Sequence, residues 1–470
     1  MQETILNIVA KANAYLSDYI LIILLVGVGL FYSFKTKFVQ VRCFGEGMKR
    51  VFGDFKLKGD KNQSGLSSFQ ALATAIAAQV GTGNIVGASG AILVGGPGAI
   101  FWMWIIAFLG MATIYAEAVL AQETRIKDAD GEIHGGPVYY IKKAFPNGFG
   151  TFLAFFFAIA AVLALGFMGS MVQSNSIAES CNNAFGIPVW AVGVIIAAIS
   201  AFIFLGGIQR IASVTEKMVP FMAGIFLVGG LVVLCIKIKF VPTTIGMIFK
   251  YAFTPDALIG GGIGYALKTA ISQGAKRGLF SNEAGMGSTP HAHAMANVEK
   301  PHDQGVAAMI GVFIDTFVVL TMTALVVITC LYTGNGPLAN LSSDAYIAAT
   351  SGETAIIAKT TAMQTAVSSA IPWGNFGNIF VAVCLLFFAF STIIGWNFFG
   401  KLNVQYLFKN KKWATVLYSV IAIVFIFLGS ILKNDLVWEL TDFFNYLMVI
   451  PNAIALFALS KLVKKNSDNK

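Results

Sequence analysis

The stretch SSFQALATAIAAQVGTGNIVGASGAIL, residues 67–93, decides how this chain is read. It is apolar and long enough to cross a bilayer, yet its middle carries Gly81, Gly83, Gly87 and Gly90 around Gln79, Thr82 and Asn84. Glycine and polar side chains at mid-membrane depth predict an interrupted helix. Non-helical backbone survives there only where it lines a cavity or is buried in protein. An interruption exposes free N–H groups and a partial positive charge on one half-helix, and free carbonyls and a partial negative charge on the other. A second stretch, ALIGGGIGYALKTAISQGAKRGLFSNEAGMGSTP at 257–290, has the same character, with Gly274, Gly278 and Gly285 among Ser272, Gln273, Ser281, Asn282 and Glu283. A zwitterion and a small cation need both kinds of helix end, so the paired breaks predict a transport site at the bilayer midplane.

Composition agrees. Of 470 residues, 57% are hydrophobic and only 12% charged. That excludes an ordinary soluble enzyme, where about a quarter of residues are charged, and it excludes disorder. Eleven apolar runs are long enough to span: about 16–35, 66–94, 97–122, 150–180, 188–208, 215–236, 257–289, 303–333, 375–408, 413–432 and 435–463. Setting the first aside leaves five and five, each half opening with its interrupted run. An odd number per half forces opposite membrane orientation, the mark of an inverted repeat. The fold class is therefore an all-α polytopic membrane protein. Its expected parts are an extra N-terminal helix (1–35), an amphipathic cytoplasmic linker (36–65), a first five-helix repeat (66–236), an outward connection (237–256), a second repeat (257–463) and a cytoplasmic tail (464–470). The linker interleaves Phe38, Val41, Phe44, Met48, Val51, Phe52 and Phe55 with basic residues, which suits the cytoplasmic leaflet, although a plain basic loop reads similarly. Residues 334–374 are either a lid of short helices or a surface loop.

The net charge of +9 reads as cation placement, not nucleic-acid binding. With the N-terminus outside, inward-facing segments hold 23 Lys and Arg and outward-facing segments six. The bias predicts a multi-pass cell-membrane protein with a cytoplasmic C-terminus. The run Ile20 to Phe34 lacks a basic lead and a cleavage site, and reads as a retained span. Five scattered cysteines suggest neither a disulfide framework nor a metal site, and His291 and His293, two apart, point away from each other on a helix. No hydrolase or nucleotide-binding motif occurs, so no enzyme and no cofactor is expected.

Four motifs in this order, GTGNIVG (81–87), HGGPVYYI (134–141), GLFSNEAGMGSTPHAHA (278–294) and FAFSTIIGWNFFG (388–400), resemble the alanine or glycine:cation symporter family. The likeness runs from about Leu66 to Phe408. It implies a LeuT-type inverted five-plus-five repeat with one extra N-terminal helix, and sodium-coupled uptake of alanine or glycine across the lipid bilayer. By position, it implies that the N–H groups of Thr82 and Gly83 receive the substrate carboxylate, with Gln79 and Asn84 lining the pocket. It implies carbonyls of Ser272, Gln273 and Gly274 for the ammonium, with Phe280, Thr392 and Trp396 closing the remaining sides; Phe167, in a stretch with Gly166 and Gly169, reads as either a substrate contact or packing. For Na⁺ it implies the carbonyls of Ala77 and Val80 with the hydroxyls of Ser391 and Thr392. Such oxygen ligands suit a hard cation. A second cation site at Asn84, near Asp315 and Thr316, stays open, as do stoichiometry, oligomeric state and the choice among alanine, glycine and serine.

Four acids, Glu117, Glu179, Glu216 and Asp315, fall in or at the ends of spans. Glu117 and Glu216 are expected near cytoplasmic ends, either solvated or paired with Arg277 or Lys276. Asp315 lies deeper and keeps a proton-coupled or exchange-type transporter of the same fold as the alternative. A channel is disfavoured, because the polar residues gather at two breaks instead of lining one pore.

Overall fold

The computed structural model describes residues 2–53, 65–128, 132–204, 207–254, 263–350 and 356–468. The linker beyond residue 53, Phe55 included, and the expected start of the second repeat at 257 lie outside them. The chain is built from helices α1 (Glu3–Lys35), α2 (Ser68–Gln79), α3 (Gly83–Gly95), α4 (Ala99–Thr124), α5 (Gly148–Phe185), α6 (Val189–Phe204), α7 (Gln209–Ile236), α8 (Ile263–Asn282), α9 (Pro290–Ala294), α10 (Pro301–Leu331), α11 (Phe376–Leu407), α12 (Lys412–Ile431) and α13 (Asn434–Ala458). A two-stranded antiparallel ribbon, β1 (Ile126–Lys127) with β2 (Ile133–His134), follows α4. Short helices Ser343–Thr350 and Ala362–Ala370 cross the segment that admitted either a lid or a loop.

Among the described residues, eight helices are long and apolar enough to cross a membrane, and nine if the bent pair α2/α3 is one span. The eleven expected spans are not all reached on that measure. Helix α6 is a shorter apolar helix, and α8 carries Lys268, Lys276 and Arg277.

Local chemistry explains where α2 starts and stops. Ser67 accepts the Gln70 N–H while the Gln70 side chain accepts the Ser67 N–H, a reciprocal cap that satisfies two orphan donors. The helix ends at Val80, whose ψ of 89° leaves the helical basin, and α3 resumes after a 46° bend. The expected interruption of the first span is where the sequence puts it. The second is displaced. Helix α8 runs unbroken through 272–278 and gives way only after Asn282. There Glu283, Gly285 and Gly287 take φ values of +58°, +92° and +81°. Three left-handed residues within five cannot belong to a right-handed helix.

The two interrupted pairs cross. Helix α8 packs on α3, and α9 on α2, so each half-helix meets the opposite half of its counterpart. Helices α4 and α10 pack together on one flank, and α5 with α11 on another; α7 leans on α2 and α11, and α1 on α4 and α13. Glycines allow these approaches. A Cβ on Gly274 would stand 2.5 Å from Trp102 Cβ of α4, and one on Gly395 of α11 would stand 3.0 Å from Ala78 Cβ.

Candidate functional site

Helix α2 ends with carbonyls that no downstream N–H can reach, as every helix C-terminus does. The Ile76 carbonyl is taken by the Val80 N–H at 2.8 Å. Those of Ala77 and Val80 turn toward α11 instead. Ser391 Oγ lies 3.1 Å from Ala77 O and 3.5 Å from Val80 O, and Thr392 Oγ1 lies 3.0 Å from Ala77 O. All four residues are buried. Gly81 makes the approach possible, since a Cβ there would come 2.3 Å from Thr392 Oγ1 and 3.1 Å from Gln173 Oε1. The four residues that the resemblance implies for Na⁺ thus converge on one point.

On the other side of the bend, the amides are already occupied. The Gly81 N–H donates to Asn84 Oδ1 at 2.9 Å, and the Thr82 N–H donates to Gln173 Oε1 at 3.1 Å. The Thr82 amide, expected to face a carboxylate, is satisfied by a side chain of α5. Three polar atoms around it are buried and have no partner among the described residues: Thr82 Oγ1, Gln79 Oε1 and Gln173 Nε2. An unpaired buried polar atom costs about 1–3 kcal/mol; two acceptor-capable oxygens and an amide donor are left so at this break.

Gln79 also joins the two breaks. Its Nε2 donates to the Asn282 carbonyl, the orphan C-terminal carbonyl of α8, at 2.6 Å. This corrects the expectation for the ammonium end. The carbonyls of Ser272, Gln273 and Gly274 sit inside the continuous ladder of α8. The Ser272 hydroxyl donates to Asp18 at 2.6 Å, and Gly274 is a packing contact against α4. The exposed helix end lies about two turns later, at Asn282.

Aromatic rings cover the apolar side. Phe280 lies 5.6 Å from Trp396 and 4.7 Å from Trp438 between ring centroids. Gly83 fits beneath Phe280, with only 3.0 Å to Cδ1 for a Cβ, and Gly169 fits beneath Trp396, with 2.3 Å. Trp396 Nε1 donates to Glu283 at 2.5 Å. Phe167 is elsewhere: it stacks on Phe425 at 4.9 Å and lies 5.5 Å from Tyr418, facing α12. The π-helical segment of α5 at Val162–Gly169 presents Gly169, not Phe167, to Trp396.

The acids behave differently from the expectation. Glu117 is fully buried and paired with neither Arg277 nor Lys276. Its carboxylate accepts the N–H groups of Gly285 at 3.1 Å and Gly287 at 3.0 Å, plus Asn452 Nδ2 at 2.6 Å. It holds the second break in shape. Glu283 accepts from Ser288 as well as Trp396. Glu216 accepts from Gln70 at 3.0 Å. Arg277 instead pairs with Asp442 at 3.1 Å under the Trp438 ring, and Lys276 faces Asp18 at 3.7 Å. Asp315 of α10 accepts from Asn84 at 2.6 Å, Ser281 at 2.9 Å and Thr316 at 2.8 Å, and no lysine or arginine among the described residues pairs with it. Gln173, Asn282, Glu283 and Glu117 complete the site beyond the residues the resemblance supplied.

Two crossed, interrupted helix pairs around a buried polar centre define a membrane transporter of the LeuT type, not an enzyme. The fold is shared with a solved structure of MhsT in complex with L-phenylalanine (TM-score 0.59, 14% identity, 86% of this chain and 96% of that one). It is shared also with a manganese transporter of Eremococcus coleocola (TM-score 0.51, 16% identity, 84% and 78%). The chain belongs to the sodium:alanine symporter family, whose model matches residues 2–469. Relatives include the sodium/alanine symporter AgcS of Methanococcus maripaludis, 38% identical over 97% of this chain and 95% of that one. Two more come from Bacillus subtilis: a putative sodium/proton-dependent alanine carrier, YrbD (40%; 97% and 90%), and a probable sodium/glutamine symporter, GlnT (38%; 98% and 90%).

Proposed function

We propose that this protein is a symporter that couples the inward movement of Na⁺ to that of a small neutral amino acid, alanine or glycine, by alternating access. The observation that carries the reading is the convergence of the Ala77 and Val80 carbonyls on the Ser391 and Thr392 hydroxyls. The hydroxyls also reach the Phe388 carbonyl of their own helix, Ser391 at 2.8 Å and Thr392 at 3.2 Å, which can take their protons. Na⁺ binding turns them away, so that four oxygens face the ion without a carboxylate. The substrate takes the neighbouring space, its carboxylate toward the N-terminal end of α3 and Gln173 Nε2, and its ammonium toward Gln79 Oε1, Thr82 Oγ1 and the Asn282 carbonyl. Phe280 and Trp396 bound the apolar side of that space. The polar atoms left unpartnered at the first break support this placement.

The N-terminus is placed outside and the C-terminus in the cytoplasm by the 23-to-six distribution of cations. The Arg277–Asp442 pair then lies on the outer side of the site and acts as the outer gate. The test is alanine uptake into proteoliposomes with an imposed Na⁺ gradient. Uptake that ignores Na⁺ would remove the coupling claim.

A second reading rests on Asp315, whose carboxylate is buried with hydroxyl and amide donors but no cationic partner. A buried acid so placed suits a proton or a second cation as coupling ion. Uptake driven by a pH gradient in Na⁺-free buffer, and abolished in D315N, would favour it.

A further inference from the structure

Away from the transport site, three side chains from three segments converge where the first connection meets the bundle. Cys43 joins the short helices Val39–Arg42 and Phe44–Met48, and Glu46 follows on the second of them, three residues later and so on the same face. His302 opens α10. The Cys43 sulfur, a Glu46 oxygen and a His302 ring nitrogen all lie within 4.8 Å of one another.

Several features make this more than a chance cluster. Cys43 and His302 are buried, at 0% and 1% exposure, and Glu46 is only partly exposed, which leaves a path from solvent. His302 Nδ1 lies 2.7 Å from the Tyr115 hydroxyl. His302 Nε2 is buried, makes no hydrogen bond, and faces Glu46 Oε1 at 3.3 Å. That separation matches the edge of a tetrahedron with bonds of about 2.1 Å, the usual length for zinc on nitrogen and oxygen. A ligating histidine almost always has its other nitrogen held by an outer partner, and Tyr115 of α4 fills that role. The backbone is also seated firmly. A Cβ on Gly47 would come 2.7 Å from Ile310 Cγ1 and 2.9 Å from Val306 O, so the short helix lies flush on α10. Phe44 packs edge-on against Phe313 at 4.9 Å. Of the nearby arginines, Arg50 is tied to Asp303 at 2.6 Å, though its Nε also lies 3.6 Å from Glu46, and Arg42 is held by Ser467.

We propose that Cys43, Glu46 and His302 form a binding site for one borderline-soft divalent cation, zinc as the type case, which staples the connection between α1 and α2 to α10. Thiolate, imidazole and carboxylate select zinc over magnesium or calcium, and a fourth position remains for water. Binding displaces the thiol proton of Cys43 to solvent and requires His302 to be protonated at Nδ1, with that hydrogen donated to Tyr115. The site is independent of the transported ion, whose oxygens lie on α2 and α11.

The test uses tag-free, full-length protein in detergent, stripped with a chelator and titrated with Co²⁺ and then Zn²⁺. The expected result is one Co²⁺ per chain with a sulfur-to-metal charge-transfer absorption that Zn²⁺ abolishes. That band is lost in C43S, and the affinity falls about tenfold or more in both H302Q and E46Q. The second acid–histidine group, Asp128, Glu132 and His134, contains no sulfur and cannot produce the band. Replacing the exposed Cys235 by serine should leave it unchanged. A missing band in the wild-type protein, a band that survives in C43S, or an unchanged affinity in E46Q would overturn the proposal. Glu46 is only partly buried and its replacement spares the core, so the last outcome holds even if C43S folds poorly.

Discussion

The two breaks solve the same problem in opposite ways. At the second, every strained amide has a partner: Glu117 takes the N–H groups of Gly285 and Gly287, the Leu279 carbonyl takes that of Glu283, and the Glu283 carboxylate is held by Ser288 and Trp396. At the first, the backbone leaves the helix at Val80 without a left-handed residue, and Gln79, Thr82 and Gln173 each keep one polar atom unpaired. On the proposed reading, the second break, with its amides partnered, is the fulcrum, and the first, with Gln79, Thr82 and Gln173 each keeping an unpaired polar atom, is the receptor.

The largest expected effect comes from closing the receptor. In G81A the added methyl meets Thr392 Oγ1 at 2.3 Å; the resulting displacement costs about 1–3 kcal/mol and opens the ion site, so Na⁺-driven alanine uptake should fall at least about tenfold. Normal expression and a normal elution profile, with uptake unchanged, would erase the distinction between the breaks. E117Q attacks the fulcrum. It offers one acceptor oxygen where three donors converge, and leaving donors unsatisfied costs about 1–3 kcal/mol. Thermal stability of the purified protein should drop by several degrees, whereas the apparent affinity for Na⁺ should move less than in T392A. Removing one ion ligand in T392A should raise the half-saturating Na⁺ concentration about tenfold, the equivalent of about 1.4 kcal/mol, at near-normal stability. The smallest change belongs to F167A, whose ring packs on Phe425 and Tyr418. Alanine affinity should shift less than about twofold, since nothing in the site touches it.

These differences also explain how much could be read from sequence. The first break was legible because glycine, threonine and asparagine interrupt an apolar run, and the hydroxyl pair on α11 came only through the resemblance carried by FAFSTIIGWNFFG. The second break was misplaced by about ten residues for a physical reason. Gly274 and Gly278 serve close packing against α4, while the turn is made by Glu283, Gly285 and Gly287. A glycine needed for proximity and one needed for a left-handed backbone look alike in one dimension, and nothing in a glutamate announces φ of +58°. Glu117 was misread because its partners are main-chain amides some 170 residues away, which no local pattern records. Of the two readings open for Phe167, substrate contact or packing, the packing one fits, because a π-helical segment turns its face toward α12.

Trp396 stands one turn beyond Thr392, its ring fills the hollow left by Gly169, and its nitrogen is pinned to Glu283. On the proposed assignment, the lid over the nutrient and the grip on the ion are neighbouring teeth of a single gear. A slipping gear would let sodium run through unaccompanied and discharge the cell's gradient. With both teeth cut into one rigid rod, current in the absence of amino acid should be small.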